Sequence, residues 1–84
     1  MRGGMASRIA LQRIRPERNE RRFYRMEVTT DLFGTVLLLR RWGRIGTDGR
    51  QRSEAYADRM AAAAALDLWT ARKLRRGYRN MGPN

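Results

Sequence analysis

The sequence predicts an α+β fold, a small antiparallel β-sheet of about four strands with one C-terminal α-helix packed across it. Three observations carry this. Up to Tyr56 the apolar residues recur with period two in short runs broken by proline, glycine and aspartate, as in hairpin-connected strands. From Asp58 to Gly77 nearly every residue is a strong helix former. The length of 84 residues allows a single sheet-and-helix core and no separate catalytic domain.

The elements follow in order. The opening "MRGGMASRIALQRIRPER" is Arg-rich and acid-poor until Glu17, like a transit peptide, but has neither an apolar h-region nor an amphipathic stripe. Residues 1–8 therefore read as a flexible tail, with Met5 an alternative start, and residues 9–79 as the domain. Ile9 to Ile14 form a short edge strand that Arg15-Pro16 ends, and "RPERNER" is a loop. Arg22 to Thr30 make a strand with Tyr24, Met26 and Val28 on one face and Arg25, Glu27 and Thr29 on the other. "DLFG" turns the chain into the antiparallel strand "TVLLLRRWGRIG", whose centre, Val36 to Leu39, is apolar on both faces. "GTDG" turns it again, into "RQRSEAY".

Asp58 then caps a helix that runs to a stop at Gly77. Ala62, Leu66, Trp69 and Lys73 recur at helical spacing and form the stripe laid on the sheet. A second stripe, Met60, Ala64, Ala71 and Leu74, packs under the N-terminal strand or marks a partner surface; in so small a domain packing is the favoured reading. Residues 80–84 are a second flexible tail.

Composition narrows the function. With no cysteine and no histidine, disulfides, thiolate metal sites, the usual zinc ligand and the usual general base are all missing. The net charge of +11 and a pI near 11.7 exceed what solubility needs and point to a polyanionic partner. All the basic residues but Lys73 are arginine, the planar donor that forks onto phosphate. A GC-rich genome explains arginine in place of lysine, but not the excess of positive charge. No 18-residue apolar run exists to span a membrane. No carboxylate pair, metal-ligand cluster or phosphate-binding Gly-rich loop suggests an enzyme, so no catalysis, cofactor or small-molecule substrate is expected.

The densest constellation is "RRWGRIGTDGR", Arg40 to Arg50. Strand alternation puts Arg40, Trp42 and Arg44 on one face, read as the solvent face, and Leu39, Gly43 and Ile45 on the other, read as the rim of the core. An indole between two guanidinium groups suits a nucleic acid, the ring stacking on a base or sugar while the arginines hold phosphates. The same residues equally describe a core-edge tryptophan with arginine stems stacked on it, and both roles stay open. Gly49 is explained by its turn and Gly46 by a bulge or turn entry, while Gly43 allows a close backbone approach. Arg40, Arg41, Arg44, Arg50 and Arg52 lie on two joined strands, and Arg72, Lys73, Arg75, Arg76 and Arg79 crowd the helix end, more cations than a helix dipole accounts for.

Trp42-Gly43-Arg44 continued as "IGTDG", preceded by "RFY" at 22–24 and "LFG" at 32–34 and followed by Lys73 and Gly77-Tyr78, resembles the WGR domain over about Leu11 to Tyr78. That family occurs in the poly(ADP-ribose) polymerases and as small free-standing or fused bacterial proteins. The resemblance implies a compact antiparallel sheet crossed by one helix. It also implies binding of DNA ends, with Trp42 stacking on a terminal sugar and Arg44 contacting phosphate or a neighbouring domain. Where the polymerases often carry Asn-Lys before their Phe-Tyr pair, Arg21-Arg22 stand here, which keeps the charge and drops the amide. ADP-ribosyl transfer is not implied, because it belongs to another domain.

The expected function is a non-catalytic, largely sequence-independent DNA-binding module, with a preference for ends or nicks as its finer form. The candidate residues are Trp42, Arg44, Arg40, Arg41, Arg21, Arg22, Arg50, Arg52, Lys73, Arg76 and Tyr78. RNA binding and a protein-interaction or homodimer role are the alternatives. A cytoplasmic bacterial protein is expected, nucleoid-associated if it binds DNA.

Overall fold

The computed structural model describes residues 7–81, so Met5 and the outer parts of both expected tails lie outside it. The chain forms β1 (Arg8–Arg15), a 3-10 turn (Pro16–Arg18), β2 (Glu20–Thr30), β3 (Val36–Arg44), β4 (Arg50–Tyr56), α1 (Arg59–Arg75) and β5 (Arg79–Asn80). The sheet is antiparallel throughout, in the order β4-β3-β2-β1-β5. The α+β class and the single C-terminal helix are as the sequence predicts. The fifth strand is an addition: Leu11 pairs with Asn80 and Gln12 with Arg79, so β1 is an edge strand only outside that contact.

Local chemistry explains the boundaries. Pro16 has no N–H to give a ladder and pre-sets the 3-10 turn, which closes on Asn19 in the left-handed region. At the β2–β3 turn the Asp31 carboxylate accepts from the backbone N–H of Phe33 and of Thr35. Asp58 caps α1 by accepting from the Ala61 N–H at 2.8 Å. Past the helix, the Gly77 N–H donates to the Leu74 carbonyl and the Tyr78 N–H to the Lys73 carbonyl. This is a Schellman closure, and it needs the positive φ of Gly77. It aims the chain back along β1 and so creates β5.

The core lies between α1 and one face of the sheet. Leu11, Tyr24, Met26, Val28 and Leu38 meet Ala62, Leu66 and Tyr78 there, with Trp42 and Trp69 packed at the margin. Leu11, Leu38 and Leu66 are fully buried, and each contributes about 1.5–3 kcal/mol. The alanines of α1 bring the helix close to the sheet.

Two sequence expectations are corrected. The β2–β3 register sets Tyr24 opposite Trp42, Met26 opposite Arg40 and Val28 opposite Leu38. Leu38, Arg40 and Trp42 therefore share the helix-covered face, while Leu39, Arg41 and Gly43 occupy the open face, the reverse of the predicted orientation. The reason is that Tyr24, Met26 and Val28 fix which side of β2 is buried, and β3 must follow its neighbour. The second helical stripe is also not packed: Met60, Ala64, Ala71 and Leu74 are exposed.

Candidate nucleic-acid interface

Trp42 sits half-buried at the end of an aromatic stack. Its ring lies over Tyr24 at 5.7 Å and 18°, Trp69 of α1 covers Tyr24 from another side at 6.5 Å, and Tyr78 meets it edge-on at 6.2 Å. Arg40 is threaded into this cluster. Its guanidinium lies 4.0 Å from the Trp69 ring centroid and 5.7 Å from that of Trp42, donates to the Tyr24 hydroxyl at 2.9 Å and pairs with Glu54 at 3.4 Å. The sheet tolerates a buried arginine here because indole faces, a phenol and the Glu54 carboxylate replace much of its hydration, although its Nε has no hydrogen-bond partner among the described residues. Arg40, at 6% exposure, packs against the Trp42 ring, Tyr78, at 7%, packs against Tyr24, and both present almost no surface.

Around this stack the register assembles arginines in rows. Arg13, Arg22 and Arg44 stand side by side across β1, β2 and β3; Arg50 stands opposite Trp42, and Arg52 opposite Arg40. Like charges placed directly opposite one another destabilise a sheet, so this arrangement has a cost that a bound polyanion would relieve. Arg44 donates to the Asn19 carbonyl at 3.1 Å, tying the end of β3 to the β1–β2 turn. Arg13 is the member that sequence reading omitted. It lies over Tyr78, bonds Glu20 and donates to the Arg76 carbonyl. Its signal was available, since residue 13 shares a strand face with Leu11.

Lys73 completes the group from α1. Its ammonium rests 4.5 Å from the Tyr24 ring centroid and 5.7 Å from that of Tyr78, with no carboxylate partner among the described residues. Burial pushes its pKa below the ordinary 10.5, and the charges of Arg76, Arg13, Arg40 and Arg22 push the same way. An ammonium without a carboxylate partner among guanidinium groups has the charge to attract an anion. The Arg76 side chain is exposed beyond the helix end. Glu20 is the exception in charge: its hydrogen bond from Arg13 holds its carboxyl below 4.5, with Arg15 and Arg18 assisting against desolvation.

The structure thus divides the predicted set. Trp42, Arg22, Arg44, Arg50, Arg52, Lys73 and Arg76 gather around one end of the helix-covered face. Arg21 and Arg41 lie on the opposite, open face, where the Arg41 Nε donates to the Asp48 carbonyl and pins the β3–β4 turn. That turn explains the glycine of the tripeptide. A Cβ on Gly43 would come within 2.7 Å of the Gly49 Cα, so Gly43 admits the turn's backbone onto the sheet and faces away from the side that Trp42 occupies. Among the described residues no group of three or more carboxylates forms a metal site, and no helix is long and apolar enough to cross a membrane.

Comparison with known proteins identifies the family. The WGR domain family matches residues 7–84. "Uncharacterized protein y4dW" of Sinorhizobium fredii (strain NBRC 101917 / NGR234) is 41% identical over 73 residues, covering 86% of this chain. The chain spans about a third of that relative's length, 35%. No solved structure matches. With the tripeptide at the end of β3, the helix laid across the sheet and the family match over all the described residues, this chain belongs to the WGR-domain family.

Proposed function

We propose that this domain is a non-catalytic DNA-binding module that grips the sugar-phosphate backbone without reading sequence. The observation that carries it is the cationic ring of Arg22, Arg44, Arg50, Arg52, Lys73 and Arg76 around the half-buried Trp42, in which Lys73 has no anionic partner among the described residues. Guanidinium groups fork onto phosphates and the free margin of the indole stacks on a sugar, contacts that carry no base information. An exposed sugar is best offered at an end or nick, so these are the preferred substrates.

The test is fluorescence anisotropy with blunt, nicked and closed-hairpin DNA and matched RNA, using the wild type and Arg22→Gln/Arg50→Gln. Binding that is independent of base sequence, favours ends and weakens at least tenfold in the variant supports the reading. Binding set by base sequence, or unchanged in the variant, contradicts it, and preference for the RNA reassigns the substrate. A protein-contact role is favoured by one separate feature, the almost fully exposed Leu32 and Phe33 at the hydrogen-bonded β2–β3 turn. Sedimentation at rising concentration tests whether that turn drives self-association.

A further inference from the structure

The open face of the sheet is cationic as well. Arg8, Arg21, Arg25, Arg41 and Arg79 all project from it, against Glu27 alone among its charged strand residues. Arg8 is within 3.9 Å of Glu27, and Arg41 within 3.4 Å of Asp48 in the turn. Arg21, Arg25 and Arg79 have no carboxylate partner among the described residues, and all three are exposed. Arg25 and Arg79 lie near Arg41 around one part of this face. Arg25 stands directly opposite Arg41, its guanidinium 5.7 Å from the ring centroid of Phe23; Phe23 pairs with Gln12, and Gln12 with Arg79. Beside them Gln12, Phe23, Ile45, Thr47 and Met81 line a half-open cleft between the β3–β4 turn and the end of the chain. Among the described residues no helix covers this side, since α1 packs on the other.

We infer that this face is a second DNA-backbone surface, and that a single copy of the domain bridges two duplexes, one on each side of its sheet. The inference rests on the proposed function for the helix-covered side. The geometry separates the two grips. Strand alternation sends Arg22, Arg44 and Arg50 to one side and Arg21, Arg25 and Arg79 to the other, and the molecule is only 20 Å across its shortest axis. A duplex with a persistence length of about 150 bp does not fold around an object of that size. Two sets of phosphate contacts on opposite faces are therefore met by two rods. Fixed cations on both sides also relieve the repulsion that keeps two duplexes apart.

The experiment immobilises one biotinylated blunt duplex on beads, adds the full chain, and measures retention of a second, fluorescent duplex. Single-duplex affinity is measured by anisotropy in the same buffer. The variants are Arg25→Gln/Arg79→Gln and Arg25→Lys/Arg79→Lys, with folding checked by circular dichroism. Wild type retains the second duplex, the glutamine variant loses at least tenfold of that retention while its single-duplex Kd stays within about threefold, and the lysine variant retains it. The inference alone is overturned if wild type binds one duplex but captures no second, if the glutamine variant captures as well as wild type, or if capture and single-duplex affinity fall together, placing both faces on one duplex. Wild type that binds no duplex at all refutes the proposed function along with it.

Discussion

Arg40→Ala lowers stability by about 3 kcal/mol, and the structure supplies the parts of that figure. Losing the guanidinium leaves the buried Tyr24 hydroxyl without its 2.9 Å partner, a cost of about 1 kcal/mol at the low end of the usual range. Loss of the desolvated contact over Trp69 at 4.0 Å removes about 1 kcal/mol more. The vacated space beneath two indoles accounts for roughly another 1 kcal/mol, because the neighbouring rings collapse only in part. Glu54 adds little, since its side chain is 40% exposed and rehydrates when the pair breaks. Arg40→Met keeps the apolar stem and costs only about 1–2 kcal/mol. Urea unfolding followed by tryptophan fluorescence reads these differences, as does a melting temperature lowered by roughly 12–24 °C for the alanine variant. An Arg40→Ala protein within about 0.5 kcal/mol of wild type would show a solvated guanidinium and refute the assignment of β3's inward face.

Gly49→Ala costs about 2 kcal/mol or more, since φ is +71° and the new Cβ would meet the Trp42 carbonyl and lie 2.9 Å from the Phe23 Cζ; thermal melts check it. Because Arg13 holds the Glu20 carboxyl below 4.5, Glu20 contributes stability that is present above its unfolded pKa and lost as pH falls through the lowered folded value. Glu20→Gln therefore flattens the acid limb of the stability profile, read by denaturation between pH 2 and 6. Lys73 has the opposite sense: its charge is disfavoured in the fold, so wild-type stability rises as pH climbs from the lowered folded pKa toward 10.5. Lys73→Met lacks that rise, loses no stability at pH 7 and binds DNA more weakly, a split visible by comparing melts with anisotropy.

How much of this was legible in the sequence depended on how unambiguous each signal was. Asp58, Gly77 and the Asp48-Gly49 turn place their elements because capping and turn chemistry are local. Tyr24, Met26 and Val28 mark the buried face of β2 because charged or polar residues alternate with them. β3 defeats the same method: Val36 to Leu39 are apolar in succession, so period two does not choose a side, and Arg40 and Arg44 bias the choice toward solvent. The correct answer comes from pairing with β2, which is tertiary information. β5 has only two residues, both polar, and exists because the Schellman turn aims the chain at β1. The tripeptide is legible as a motif; that Arg40 lies against its indole, and that Tyr78 meets Tyr24 under Arg13, required the fold.

If fixed cations at this end of the domain neutralise DNA phosphates, binding depends steeply on salt. If about five phosphates are neutralised, log K against log salt for a closed hairpin duplex falls with a slope of roughly −4 to −5, and Arg22→Gln/Arg50→Gln makes it shallower by about 2. A slope near zero, or one that the double substitution leaves unchanged, would show that these cations do not hold the phosphates.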